Sequence, residues 1–298
     1  MLPSPRALRS QVEHAVRQRM RLGQPGHTTG IELARSDGWI AHDVVCTSGP
    51  HDRSFEEQHS AVSVALVLAG TFQYRAGSTR DTLVPGSVLL GNPRQCFECG
   101  HEHAAGDRCL AFTFNPEYFE RVAFDAGGSR VGFRVGRLPP LRELSGISVR
   151  AATGVLDPAG VAWDELALEV AARVSALANG VPAGSGPPTG AESRVTASVR
   201  AIERDPAARH PLQRLAREAR LSPYHYLRVF QRATGVTPHQ FILRTRLREA
   251  AARLAGDDGR VIEIALEAGF SDLSTFNRGF RAEFGMSPRE YRRAHRRS

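Results

Sequence analysis

A unit of about thirty residues occurs twice in the last third of this chain, and that repetition limits the possible fold more than any other feature. The first copy, LQRLAREARLSPYHYLRVFQRATGVTPHQF, spans residues 212–241; the second, VIEIALEAGFSDLSTFNRGFRAEFGMSPREY, spans residues 261–291. Leu215, Ala216, Ala219 and Leu221 match Ile264, Ala265, Ala268 and Phe270 at an offset of 49. Arg228, Phe230, Gly235 and Pro238 match Arg278, Phe280, Gly285 and Pro288 at an offset of 50. The one-residue slip falls at a turn, where an insertion costs least. Self-similarity of this kind marks a supersecondary unit used twice.

Each copy has the same physical logic. A short helix buries Leu212, Leu215, Ala216 and Ala219, or Val261, Ile264, Ala265 and Ala268. A left-handed corner follows, held by Gly269 in the second copy and by Arg220, at some conformational cost, in the first. Ser222 and Asp272 are placed to cap a second helix. That helix buries Tyr226, Val229, Phe230 and Ala233, or Phe276, Gly279 and Phe280. Thr237-Pro238-His239-Gln240 and Ser287-Pro288-Arg289-Glu290 then read as capping boxes with proline at the first helical position. Helix, tight turn, helix is the geometry that seats a second helix in the DNA major groove.

The exposed face of the second helix is Tyr224, Leu227, Arg228 and Gln231 in the first copy, and Ser274, Asn277, Arg278 and Arg281 in the second. Arginine and asparagine at the start of such a helix reach base edges with paired hydrogen bonds. Arg228 and Arg278 hold one position in two motifs, which sets them above a solvated helix face. Arg232, Arg244 and Arg246 are expected to meet phosphate, which anchors without specifying sequence. The charge distribution agrees. Residues 191–298 hold 21 arginines against 12 acids, a net of +9, whereas residues 1–190 hold 18 against 19, a net of −1; lysine is absent throughout. A basic module joined to a neutral one suits a polyanion reader attached to something else.

The segment GFSDLSTFNRGFRAEFGMSPREYRR, residues 269–293, closely resembles the second helix-turn-helix signature of AraC-type transcription regulators, and the resemblance extends over roughly residues 193–293. It implies an all-helical DNA-binding domain whose two units are joined by one long helix, here about His239 to Leu254. It implies that the two second helices enter successive major-groove segments on one DNA face, about 34 Å apart. By matching position, the base-contacting places fall on Pro223, Tyr224, Leu227 and Arg228, and on Leu273, Ser274, Asn277 and Arg278. Leu227 and Leu273 depart from the polar residues often found there. The family commonly carries an N-terminal sensor domain, often a cupin-like barrel, and its partners would be double-stranded DNA, RNA polymerase and a small-molecule or metal effector, with the chain acting as a monomer or homodimer.

The rest of the chain is organised around one boundary, GVPAGSGPPTG at residues 180–190, where seven of eleven residues are glycine or proline. Residues 180–191 are read as the linker and 192–298 as the DNA-binding domain. Before it, Asp157-Pro158 offers a helix start, and Trp163, Leu166, Val170, Val174 and Leu177 repeat at helical spacing. Such a helix over 151–179 either packs on its own domain or pairs with a second copy. Within residues 30–150, read as the sensor domain, residues 31–115 read as short strands split by glycine and proline, including Val62–Leu68, Thr71–Tyr74, Thr82–Val84 and Val88–Leu90. The pattern suggests a small antiparallel barrel or sandwich, so the fold class is α+β, a β-barrel sensor followed by an all-α domain. Residues 1–29 form a basic extension. It is a short helix from Leu8 to Met20, a disordered tail, or sequence upstream of a start at Met20. No apolar run approaches the ~18–20 residues of a membrane span, and the Arg-rich start lacks a secretory signal, so the cytoplasm is expected.

A cluster at residues 96–109, CFECGHEHAAGDRC, places Cys96, Cys99, His101, His103 and Cys109 within fourteen residues. If Cys99 to His103 is a strand, Cys99, His101 and His103 share a face. Mixed thiolate and imidazole suit zinc, then copper or nickel. The readings left open are a metal site, a thiol redox switch, and buried cysteines with no special chemistry. The cupin metal motif itself is poor, with Glu57-Gln58-His59 at the paired-histidine place and Ser63 where glutamate is common. The chain is expected to be a regulator and no enzyme. The alternative is a metal-dependent cupin enzyme or a methyl-accepting repair regulator carrying a DNA-binding module.

Overall fold

The computed structural model describes residues 5–77, 79–127, 132–180, 192–256 and 258–295. The linker residues 181–191 lie outside them.

Residues 28–114 form nine antiparallel strands: β1 (Thr28–Ser36), β2 (Trp39–Cys46), β3 (Phe55–Gln58), β4 (Val62–Gly70), β5 (Phe72–Ala76), β6 (Thr79–Leu83), β7 (Val88–Gly91), β8 (Cys96–Gly100) and β9 (Asp107–Phe114). With the short β10 (Arg137–Leu138) they make a sheet ordered β1-β2-β9-β4-β7-β10 and a second ordered β3-β8-β5-β6. The interleaving of β2, β9, β4 and β7 on one side with β3, β8, β5 and β6 on the other is a double-sheet jelly roll, the cupin-like architecture. It explains why β4, VSVALVLAG, is apolar almost without alternation. Val64 and Leu66 pack into the helix-covered core, while Ala65 and Val67 face the second sheet with Phe72, Leu83 and Leu89. A strand covered on both faces has no polar side to show.

The helices over the larger sheet include the first of the alternatives left open for the N-terminal extension. The basic N-terminal extension is a helix, α1 (Pro5–Arg21), with Leu8, Val12 and Val16 buried at i, i+4, i+8. Its apolar stripe joins the main core; Arg6, Arg17 and Arg21 are exposed, whereas Arg19 is largely buried in an ion pair with Asp52 at 2.9 Å. Three more helices follow: α2 (Pro116–Asp125), α3 (Ser145–Leu156) and α4 (Trp163–Ala178). Asp157-Pro158 begins a 3-10 turn rather than the helix, which starts at Trp163. Leu166, Val170 and Val174 of α4 are buried in the same core. The stripe considered for pairing with a second copy is therefore covered by the chain's own domain.

The C-terminal domain comprises α5 (Glu192–Arg204), α6 (Leu212–Glu218), α7 (Pro223–Thr234), α8 (Pro238–Gly256), α9 (Val261–Glu267), α10 (Leu273–Phe284) and α11 (Pro288–His295). The repeat is visible in the lengths: α6 and α9 each have 7 residues, and α7 and α10 each have 12. Each half has its own core, around Leu215, Tyr226, Phe230 and Phe241 in one and Ile264, Phe276, Phe280 and Tyr291 in the other. The long helix α8 contributes to both. The jelly-roll domain touches both halves as well, through Val84 in the first core and Val149 of α3 in the second.

Candidate nucleic-acid interface

The two second helices are set by the caps that the sequence places there. The Ser222 hydroxyl accepts the His225 N–H at 3.3 Å and the Asp272 carboxylate accepts that of Thr275 at 2.7 Å. At the far ends, Gly235 and Gly285 close α7 and α10 in the left-handed conformation, φ 80° and 76°. The following capping boxes are complete: Gln240 donates its N–H to Thr237 Oγ1 and receives that of Thr237, and Glu290 does the same with Ser287. Both corners are left-handed, with Arg220 at φ 54° and Gly269 at φ 90°.

With the buried stripes of α7 and α10 fixed inward, their other faces are open. Tyr224, Arg228 and Arg232 of α7 are exposed, as are Ser274, Asn277, Arg278 and Arg281 of α10. The Arg228 guanidinium lies over the Tyr224 ring, 5.8 Å from its centroid, which keeps the charge along the exposed face. Leu227 is half-buried, and Leu273 packs against the second core, so it holds α10 in place. Beside α10 lies a groove of about 1450 Å³ lined by Asn277 and six arginines: Arg260, Arg278, Arg281, Arg289, Arg292 and Arg293. A shallower groove of about 450 Å³ runs beside α7, with His225, Arg228 and Arg232. Arg260, Arg289, Arg292, Arg293 and His225 were missed by sequence reasoning. The spacing of Arg289, Arg292 and Arg293 on one turn of α11 was the signal that could have found them.

Two arginines assigned to phosphate are engaged elsewhere. Arg246 donates Nε to the Pro206 carbonyl at 2.6 Å, one terminal nitrogen to Gly269 at 2.8 Å, and the other to Ala208 at 2.9 Å. It spends its fork on carbonyls at the ends of two helical segments and ties the halves of the domain together. Arg244 donates to the Pro140 carbonyl at 2.7 Å and lies 3.6 Å from Glu283, so it joins the domain to the jelly roll. Both therefore act as clamps between segments of the fold.

The cysteine–histidine cluster does not converge as five ligands. β8 ends at Gly100, so His101 and His103 do not continue its alternation. Cys96 is exposed, and His103 lies beside Glu102, 3.9 Å away. Cys99, His101 and Cys109 do line one cavity, of about 240 Å³, between the two sheets. The group whose polar atoms come together is instead Cys46, His101 and Asp107. Cys46 and Asp107 are cross-strand partners on β2 and β9, and His101 enters from the β8–β9 loop. His101 Nε2 is 2.6 Å from an Asp107 oxygen and its Nδ1 is 4.0 Å from Cys46 Sγ. Cys46 Sγ, a His101 ring nitrogen and an Asp107 carboxylate oxygen lie within 4.8 Å of one another, a buried group of three donors of the kind that can hold a metal ion. His59, at the poor cupin motif, is buried, stacked on Phe97 at 4.1 Å and bonded to Tyr74 Oη at 2.9 Å; burial pushes its pKa down to about 4.

The chain is similar in sequence to known DNA-binding regulators. A family profile described as a helix-turn-helix domain matches residues 215–294. Over 272 residues the chain is 31% identical to the HTH-type transcriptional activator RhaS of Salmonella agona, covering 89% of this chain and 82% of that protein. An uncharacterised HTH-type transcriptional regulator of Haemophilus influenzae is 30% identical over 103 residues, so the chain spans about a third of that relative. Among solved structures, ToxT from Vibrio cholerae O395 aligns over 87% of this chain and 99% of its own, at 12% identity and a TM-score of 0.36.

Proposed function

The chain belongs to the AraC-type family of DNA-binding transcription regulators, and on that premise we propose that α7 and α10 read base edges in two successive major-groove segments under control of a signal received by the jelly roll. The observation that carries this reading is the equivalence of Arg228 and Arg278. They occupy one position on two helices of equal length, both exposed, each beside a basic groove. A phosphate anchor needs no such registration, whereas two readers one helical turn of DNA apart require it. Arg260, Arg289 and Arg293 supply the anchoring charge around the second reader.

The route for a signal is physical contact. Arg137, from the jelly roll, donates to the Ala233 carbonyl in the last turn of α7 at 2.9 Å, and Arg142 donates to the Ala282 carbonyl of α10 at 3.1 Å. The sensor domain thus holds both readers by their C-terminal ends. A change of its shape alters their spacing, and with it the fit to adjacent grooves and the access of RNA polymerase.

The test is selection of bound duplexes from a randomised DNA pool, followed by measurement of the selected site with the wild type and Arg278→Ala. We expect a defined bipartite site and a loss of roughly 1–3 kcal/mol in Arg278→Ala, with base preference relaxed in one half-site only. Unchanged affinity and unchanged preference would remove Arg278 from the readout. Binding without any sequence preference would reduce the domain to a phosphate binder.

A further inference from the structure

One thiol in this chain is set apart from the other three. Cys46 ends β2 at the wall of the 240 Å³ cavity, whose other lining includes Phe55, Phe72, Phe97 and Phe112 and whose rim includes the exposed Thr28 and Glu57. Its sulfur faces His101 Nδ1, and Asp107 holds the opposite ring nitrogen. A thiol, an imidazole and a carboxylate in series form the arrangement that activates a sulfur nucleophile and keeps a proton donor beside it. Cys99 and Cys109 line the same cavity but, among the described residues, have no imidazole partner, and burial pushes both thiols well up. Cys96 lies outside the cavity lining.

We infer that Cys46 is a nucleophile that captures small apolar electrophiles in the barrel, α,β-unsaturated aldehydes or ketones, with His101 as proton donor and Asp107 as the residue that positions the imidazole. The thiolate pair on Cys46 attacks the β-carbon. A C–S bond forms as the C=C π bond breaks, and the resulting enolate takes the proton of the His101 imidazolium, leaving neutral imidazole and a thioether. No oxidant, reductant or metal is consumed. The electrostatics agree. Burial alone would raise Cys46 and lower His101, yet their contact with each other lowers Cys46, and with Asp107 raises His101 to about 10. The aromatic lining selects an apolar guest, and the cavity volume limits it to a small one.

The site also lies against the DNA-binding domain. Asp107 follows Gly106, whose carbonyl accepts a 2.8 Å hydrogen bond from Arg200 of α5. A thioether formed at Cys46 alters the His101–Asp107 pair one residue from that contact. The inference names the effector class for the regulator proposed above and rests on that reading only for its effect on DNA; the capture itself is measured without DNA.

The experiment treats the full-length protein with crotonaldehyde at several pH values and follows adducts by intact mass and peptide mapping. The chain has no lysine, which limits competing imine formation. We expect one equivalent on Cys46, formed ahead of any on Cys96. At pH 7 its rate should exceed that of free N-acetylcysteine, by about three-fold for each unit of lowered pKa, since a unit gives ten-fold more thiolate against a roughly three-fold loss of nucleophilicity. Between pH 6 and 9 the rate should climb less steeply than that of N-acetylcysteine, and Asp107→Asn should restore the steeper profile. Adducts confined to Cys96, or a Cys46 rate that climbs in parallel with N-acetylcysteine, would overturn the inference. So would one equivalent of zinc retained through purification, lost in Cys46→Ser and protecting Cys46 from alkylation. A selected-duplex binding assay on the same untreated sample keeps a failure of DNA binding distinct from a failure of capture.

Discussion

Arg220 and Gly269 sit at the same corner of the two helix-turn-helix units, and the chain uses a different residue type at each for a steric reason. At Gly269, φ is 90° and an added Cβ would lie 2.7 Å from the Cα of Ala207, in the segment before α6. No side chain fits there. At Arg220, φ is 54° and the side chain is exposed, so only the left-handed conformation itself is costly. Gly269→Ala should therefore destabilise by more than about 2 kcal/mol, the sum of a left-handed penalty of roughly 1–2 kcal/mol and a backbone collision. Arg220→Gly should stabilise by about 0.5 kcal/mol, because relief of the same penalty exceeds the roughly 0.5–1 kcal/mol of added unfolded-state freedom. Urea unfolding of both variants checks the opposite signs; equal effects would show that Ala207 can move aside.

At the scale of elements, the caps decide whether the readers are rigid. Ser222→Ala should cost about 1 kcal/mol, since an N-terminal N–H of α7 loses its acceptor. It should raise amide exchange in the first turn of α7 while α10 is unchanged, and equal exchange in both helices would deny that the units are locally independent. These elements were legible in the sequence because local chemistry writes them: Ser222, Asp272, the paired Pro238 and Pro288, and the 3.6-residue stripes depend on neighbours within a few residues. The strands over 62–90 were legible for the same reason. What was not legible depends on distant partners. Arg244 and Arg246 look like phosphate contacts until Pro140, Pro206 and Gly269 are found in reach of their forks. α1 is basic throughout its length, and only the jelly roll beneath it gives Leu8, Val12 and Val16 something to cover. The five-residue cysteine and histidine cluster assumed that β8 runs on through residue 103. The end of β8 at Gly100 sends His101 to Cys46, 55 residues away and outside the cluster.

At the scale of the molecule, the junction between the jelly roll and the helical domain carries a buried acid with a shifted proton equilibrium. Glu203 of α5 is buried beside the β4–β5 turn; burial pushes its carboxyl up to about 7, against the lowering by Arg200, Arg9, Arg248 and the Gly70 N–H. A carboxyl raised in the folded state binds its proton more tightly there than in the unfolded chain. Between pH 4.5 and 7 the folded state thus holds more protons, and stability falls as pH rises through that window, by roughly 3 kcal/mol in all. Two histidines overlap with it. His101, raised to about 10, lowers stability as pH rises from 6.5 upward, while His59, lowered to about 4, raises it between pH 4 and 6.5. Wild type alone therefore mixes three contributions of two signs, and Glu203→Gln isolates one of them, because the amide keeps an acceptor for Gly70 and removes the titration. Thermal unfolding from pH 4.5 to 8 should show the variant gaining on the wild type steadily up to pH 7 and holding that lead above it. A difference that stays constant across the range would place the Glu203 carboxyl at an ordinary pKa. The same shift predicts that the two domains dock more tightly in acid, so protease cleavage between residues 180 and 191 should be slower at pH 5.5 than at pH 8 in the wild type, relative to an unstructured peptide control, and equal at both in Glu203→Gln.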